Sequence, residues 1–145
     1  MAERGAGSAA AAGAGEAPAL HTDVLVIGAG PAGLAVAACL VQRGLRPVVI
    51  EKAGSVAASW RSHYERLHLH TVKALSALPG RPFPEHYPRY VPRQALVDYL
   101  VAYAEQHAIT PLFGEAARAI TPLAGGWCTV TATGRHIVSR TVVLA

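Results

Sequence analysis

Residues Asp23–Gly44 read DVLVIGAGPAGLAVAACLVQRG, and this stretch decides the fold. Val24, Leu25, Val26 and Ile27 form an unbroken apolar run rich in β-branched residues, as in a parallel strand covered on both faces. Gly28, Gly30 and Gly33 follow at G-x-G-x-x-G spacing, with Ala29, Pro31 and Ala32 between them. The first glycine permits a tight turn, the second lets a ligand approach the backbone, and the third lets a helix lie close to the strand. Pro31 falls in the first helical turn, where its missing N–H costs nothing. Leu34, Ala37, Ala38, Leu40 and Val41 supply the helix with apolar positions, and Gly44 stands where a C-terminal cap belongs.

Working outward, Val48, Val49 and Ile50 make a second strand, closed by Glu51. The carboxylate comes about 20 residues after the glycines, the separation at which it accepts ribose hydroxyls. It would repel a 2′-phosphate, so the unit reads as a site for FAD or NAD rather than NADP. The pyrophosphate would sit at the helix N-terminus, on free amides and the positive dipole end, with no basic side chain required. A glycine turn in an ordinary βαβ unit is the plainer alternative. Strand, turn, proline, helix and carboxylate all occur in the required order, which argues against it.

The chain has 145 residues, enough for one domain, and is 52% hydrophobic and 15% charged, so it can build a core. Its net charge of +4 comes from scattered arginines without a block of like charge, which points to no nucleic-acid partner. Cys39 and Cys128 are far apart and no secretion signal precedes them, the pattern of a reduced, cytoplasmic chain. No apolar run reaches the about 18 residues a membrane span needs. Residues 1–20 are Ala, Gly and Ser with two glutamates, read as a disordered leader, and residues 21–145 as the folded domain.

Past Glu51, Lys52–Ser59 reads as a loop or single helical turn reaching Trp60. Leu67-His68-Leu69-His70 alternates at the strand period, which puts both histidines on one face. No third ligand stands at metal-site spacing, so polar contacts along the cofactor groove are expected there and a metal is not. Leu78–Pro92, LPGRPFPEHYPRYVP, interleaves prolines with aromatics and reads as a stiff crossing loop pinned by Phe83, Tyr87 and Tyr90. A docking site for proline-recognising modules is the sharper, less favoured reading. Arg93–His107 is an amphipathic packing helix. Ala116–Thr121, Trp127–Thr133 and His136–Val138 follow as a β-meander, and Arg140–Ala145 begins a further core strand.

Taken in order, GAGPAGLAVAACL, VVIEKAGSVAASWR, YERLHLH and LPGRPFPEHYPRYVPRQALVDYLVAYA resemble flavin-containing monooxygenases, and within them the YUCCA-type indole-3-pyruvate monooxygenases of plants. The resemblance covers Asp23 to Ala145. It implies a Rossmann-like α/β FAD-binding domain, truncated, in which a βαβ core carries a Pro-rich crossing loop and a β-meander. It also implies that Gly28, Ala29, Gly30, Pro31, Ala32, Gly33, Glu51 and Lys52 hold the ADP half of FAD. Trp60 matches an aromatic of the family, and His70 and Thr71 fall where the family lines the flavin groove. The implied chemistry is reduction of FAD by NADPH, capture of O₂ as a flavin C4a-hydroperoxide, and conversion of indole-3-pyruvate to indole-3-acetate. The cofactor would carry the hard step, and no protein nucleophile or other catalytic residue is identified.

Two departures stand out. Ala58-Ser59 replaces a Gly-Gly common ahead of the tryptophan. No second glycine-rich turn for NADPH is present, since Gly125-Gly126 lacks the strand-turn-helix context. The chain is therefore expected to be the first portion of such an enzyme. Alternatives are a non-catalytic FAD-binding fragment and a small NAD-binding oxidoreductase domain, the latter disfavoured by the Pro-rich loop and meander.

Overall fold

A computed structural model describes residues 18–145; residues 1–17, most of the expected leader, lie outside the described part. Strand β1 (Leu20–Ile27) leads into helix α1 (Pro31–Gln42) and strand β2 (Val48–Glu51), the predicted βαβ unit. β1 and β2 pair in parallel, Leu25 opposite Val48 and Ile27 opposite Ile50. Pro31 opens α1, as the missing donor at that position allows. Gly44, at φ +80°, ends it, with its N–H donating to the Val41 carbonyl at 2.9 Å.

A short helix α2 (Ala58–Arg61) and a 3₁₀ turn (Lys73–Leu75) punctuate an otherwise irregular passage to helix α3 (Arg93–Gln106). Four strands complete the chain: β3 (Leu112–Phe113), β4 (Ala117–Leu123), β5 (Gly126–Thr131) and β6 (His136–Leu144). All six strands form one sheet in the order β3-β2-β1-β6-β5-β4. β3, β2, β1 and β6 run parallel, while β6, β5 and β4 form the antiparallel meander. β6 belongs to both halves: its early residues pair with β5, and its whole length follows β1 from Ile137 opposite Leu20 to Leu144 opposite Ile27.

The larger core lies between the sheet and helices α1 and α3. Val24, Val26 and Val49 meet Leu34, Ala37 and Ala38 of α1 and Val97, Leu100 and Tyr103 of α3. A smaller cluster of Leu25, Ile50 and Ile137 lies apart from it. The unbroken apolar run of β1 is thus explained: alternate residues feed the two clusters.

Three local readings are corrected. Leu67–His70 is not a strand: only one antiparallel bridge forms, His68 to Pro92, flanked by Leu69 N–H donating to Val91 O at 2.8 Å. The facing segment carries Pro88 and Pro92, which have no N–H to extend a ladder. His136–Val138 and Arg140–Ala145 are one strand, since Ser139, buried in the sheet, carries pairing across the polar break. In the Pro-rich passage, Phe83 and Tyr87 pack on the core but Tyr90 is 45% exposed, with the Arg89 guanidinium over its ring.

That passage is tied down by polar contacts that apolar patterning does not register. Tyr99 Oη accepts from Leu78 N–H at 2.8 Å and donates to Arg81 O at 2.6 Å, and Tyr103 Oη donates to Pro79 O at 2.8 Å. The Lys73 ammonium donates to the carbonyls of Glu85 and Tyr87 at 2.7 and 2.6 Å. Arg93 closes the other end on the carbonyls of Arg61 and His63.

Candidate functional site

At the C-terminal ends of β1 and β2, and just past that of β3, the chain leaves an open groove of about 790 Å³. Crevices at this end of a parallel sheet are where α/β folds bind ligands. Gly28, Gly30, Pro31 and Ala32 form one wall, Glu51, Lys52 and Ala53 the floor, and Glu115–Ala117 the opposite wall.

The turn between β1 and α1 needs its glycines for separate reasons. Gly28 holds φ +113°, and a Cβ there would run into the Ala145 carbonyl oxygen. A Cβ at Gly33 would collide with the Gly28 carbonyl oxygen, so the helix can approach the turn only without one. At Gly30 nothing lies within 4 Å of a built Cβ: that position is open and faces the groove. Its glycine is not demanded by the protein's own packing. The position leaves room for a ligand to approach the backbone.

Gly28 N–H donates to Ile50 O at 2.8 Å, and Ala57 N–H donates to Ala29 O at 3.1 Å, so the turn is clamped between β2 and the start of α2. The Glu51 carboxylate completes the clamp. Its Oε2 accepts from Ala29 N–H at 2.8 Å and its Oε1 from Ala53 N–H at 2.9 Å. Each carboxylate oxygen keeps a second acceptor site for a ribose hydroxyl. The first-turn N–H groups of α1, at Ala32 and Gly33, have no acceptor within a helix and carry its positive dipole end. These residues fit the ADP half of a dinucleotide.

Of the predicted site residues, Gly28, Gly30, Pro31, Ala32, Glu51 and Lys52 line the groove. Ala29 is fully buried beneath the turn and Gly33 is buried behind it. Trp60, His70 and Thr71 are not among the lining residues. Trp60 packs against the main core and meets His63 edge-on at 5.8 Å. His70 and Thr71 are exposed, and the Thr71 hydroxyl pairs with that of Ser76 at 2.6 Å. Among the described residues, no three His, Cys, Asp or Glu side chains gather as a metal site, and no helix is long and apolar enough to cross a membrane. Both cysteines are free.

The groove contains one acidic residue that the sequence reading passed over. Glu115 is only 5% exposed and takes Thr133 Oγ1–H at 2.7 Å and Arg135 Nε–H at 2.9 Å. Hydrogen bonds from Thr131 and Thr133, helped by Arg135, hold its carboxyl below the ordinary carboxylate value despite burial. It ties the β5–β6 turn to the far wall, while its own N–H donates to Glu51 O at 3.0 Å. The available signal was positional: an acidic residue just past Gly114, at the end of a strand only two residues long.

Sheet order, glycine turn and clamped carboxylate define a Rossmann-like α/β domain. The chain belongs to the flavin-binding monooxygenase-like family, whose model matches residues 21–112. Indole-3-pyruvate monooxygenase YUCCA1 of rice (Oryza sativa subsp. japonica) is 40% identical over 124 residues, 83% of this chain and 30% of that protein. The probable indole-3-pyruvate monooxygenase YUCCA9 of Arabidopsis thaliana is 44% identical over 92 residues, 63% of this chain and 22% of that protein. Among solved structures, a flavin-containing monooxygenase from Stenotrophomonas maltophilia superposes with a TM-score of 0.79 at 28% identity, over 87% of this chain and 38% of that one. The resemblance read from the sequence is borne out, and the chain spans less than a third of these curated relatives' length.

Proposed function

We propose that this chain is the FAD-binding portion of an NADPH-dependent monooxygenase acting on a small 2-oxo acid, indole-3-pyruvate, to give indole-3-acetate. The observation that carries the cofactor assignment is the open position at Gly30, beside a turn held in place by Glu51. The substrate assignment rests on similarity to the YUCCA relatives.

When bound, FAD would supply the redox chemistry. The chain's part is to hold it. Amides at the start of α1 would meet the pyrophosphate, Glu51 would accept from the ribose, and Lys52, which lines the groove, would offer a cation to the phosphates. Clamping the turn beforehand reduces the ordering that binding would otherwise require.

The test has two stages. The purified chain, titrated with FAD, should quench flavin fluorescence, yet it should not oxidise NADPH by itself. Joined to the remaining length of the rice relative, it should consume NADPH in response to indole-3-pyruvate. A chimera that binds FAD and reacts with NADPH but ignores indole-3-pyruvate would overturn the substrate assignment alone. Failure to bind FAD at either stage would overturn the whole reading.

A further inference from the structure

We propose that Glu51 is a positioning residue for the pyrophosphate turn, acting through Ala29, in addition to any contact it makes with a ribose; this rests on the cofactor assignment above. The geometry is specific. Both oxygens of the carboxylate are taken by backbone donors from two different loops, Ala29 N–H at 2.8 Å and Ala53 N–H at 2.9 Å. The Ala29 carbonyl is taken in turn by Ala57 N–H at 3.1 Å, and its methyl group is fully buried. The peptide planes on the two sides of the Ala29 Cα are therefore each held without any ligand, Gly28–Ala29 by Glu51 and Ala29–Gly30 by Ala57.

Two consequences follow from this arrangement. Ala29 N–H points to Glu51 and is not a phosphate donor. The donors left to a pyrophosphate are those further along, where the Gly30 carbonyl already receives Leu34 N–H at 3.0 Å and starts the helix. Glu51 and Ala57 together thus fix the backbone angles at Ala29, and with them the direction in which the following amides point. A carboxylate is needed for this because it accepts at both ends. A glutamine in the same place has one accepting oxygen and one donating NH₂, so one of the two backbone N–H groups would face another donor. An aspartate would withdraw the carboxylate by about 1.5 Å, one C–C bond, and could not keep both contacts.

The ribose and positioning roles separate with a ligand that has the pyrophosphate but no ribose hydroxyls. We would titrate the full chain and its Glu51→Gln variant with ADP and with 2′,3′-dideoxy-ADP by calorimetry. Amide hydrogen exchange at Ala29 would be followed without ligand. The expectation is that Glu51→Gln weakens both ligands by a similar factor, about tenfold or more, the value of one hydrogen bond to a charged group. Ala29 N–H, protected in the wild type, should exchange faster in the variant while the thermal transition stays cooperative. Glu51→Asp should behave alike, which guards against an artefact of the glutamine.

If Glu51→Gln weakens ADP but leaves 2′,3′-dideoxy-ADP unchanged, the residue acts through the ribose only and the proposal is overturned. Rapid exchange of Ala29 N–H in the ligand-free wild type would overturn it as well, even if no variant folds. A wild type that binds neither ligand, with Ala29 still protected, would instead remove the cofactor assignment and the proposal with it.

Discussion

Stability and cofactor affinity should separate at the glycines of the first turn, with Gly30→Ala as the decisive substitution. Gly30 is the residue before α1, with φ −82° and ψ −175°, an extended conformation open to any residue. An added Cβ meets nothing within 4 Å. Alanine is a poorer N-cap than glycine by up to about 1 kcal/mol. Loss of freedom in the unfolded chain returns about 0.4–1 kcal/mol. The two nearly cancel, so the melting temperature of the ligand-free protein should move by no more than about 4 °C. The methyl group would nevertheless stand in the groove, where the diphosphate must touch the backbone. Displacing the phosphate from two charge-assisted amide contacts costs about 3–6 kcal/mol, or roughly 10²–10⁴ in Kd for FAD.

The comparison is Gly28→Ala, where φ is +113° and the Cβ would meet the Ala145 carbonyl oxygen. There, strain and overlap should cost about 2–5 kcal/mol of stability before any ligand is added. Circular dichroism melts of the ligand-free proteins and flavin-fluorescence titrations measure the two quantities independently. If Gly30→Ala binds FAD within about threefold of the wild type, the phosphate does not lie against this turn. If it loses as much stability as Gly28→Ala, Gly30 is needed by the fold itself, and the ligand argument fails.

Other expectations concern Glu115 of the groove and the polar contacts that hold the Pro-rich passage. Burial pushes the Tyr103 hydroxyl up to about 12 from its ordinary 10.0, so the unfolded chain ionises first and stability should drain as pH rises from 10.0 towards about 12. Tyr103→Phe should flatten that part of the profile at a cost near neutrality of about 1 kcal/mol, measured by urea midpoints, for the lost bond to Pro79 O. Glu115 has the opposite sign: its lowered value means its contribution is present above the ordinary 4.5 and lost as pH falls below it. Glu115→Gln should therefore remove acid sensitivity in that window; an unchanged acid limb would show that the contacts to Thr133 and Arg135 do not hold in solution. Lys73→Met removes the ammonium from the carbonyls of Glu85 and Tyr87 and should cost about 1–3 kcal/mol, with faster proteolysis at residues 84–90. Equal cleavage rates in the two proteins would mean the prolines alone keep the segment in place.

Residues 23–51 could be read from sequence because each local choice there has one physical explanation. An apolar run that feeds two core clusters, a glycine at positive φ and a proline at a helix start point to the same unit, and the structure contains it. The later chain is ambiguous on the same grounds. Strand β6 combines a buried Ser139 with Arg140 in mid-strand, so its alternation is broken where pairing with β5 ends and pairing with β1 alone continues. β3 is only two residues long, too short to carry any period. In residues 67–92 the order comes from backbone carbonyls that accept hydrogen bonds from Lys73, Tyr99 and Tyr103. Contacts between a side chain and a distant carbonyl leave no mark on hydropathy, and a proline-rich segment offers many such carbonyls and few donors.

The site divides along the same line. The wall built from the glycine turn was legible, because the order of strand, glycines, proline and helix dictates it. The wall built from Glu115 was not, because it forms only when β3 lies beside β2 and the β5–β6 turn folds over it. The part of Glu51 that could be inferred was its chemistry towards a ribose. Its hold on Ala29 and Ala53 could not be, since it depends on where two loops end in space. A motif therefore tells what a residue type can offer a ligand. Whether the residue also builds the surface that receives the ligand is decided by packing, and at Glu51 both acceptor atoms already serve that second purpose.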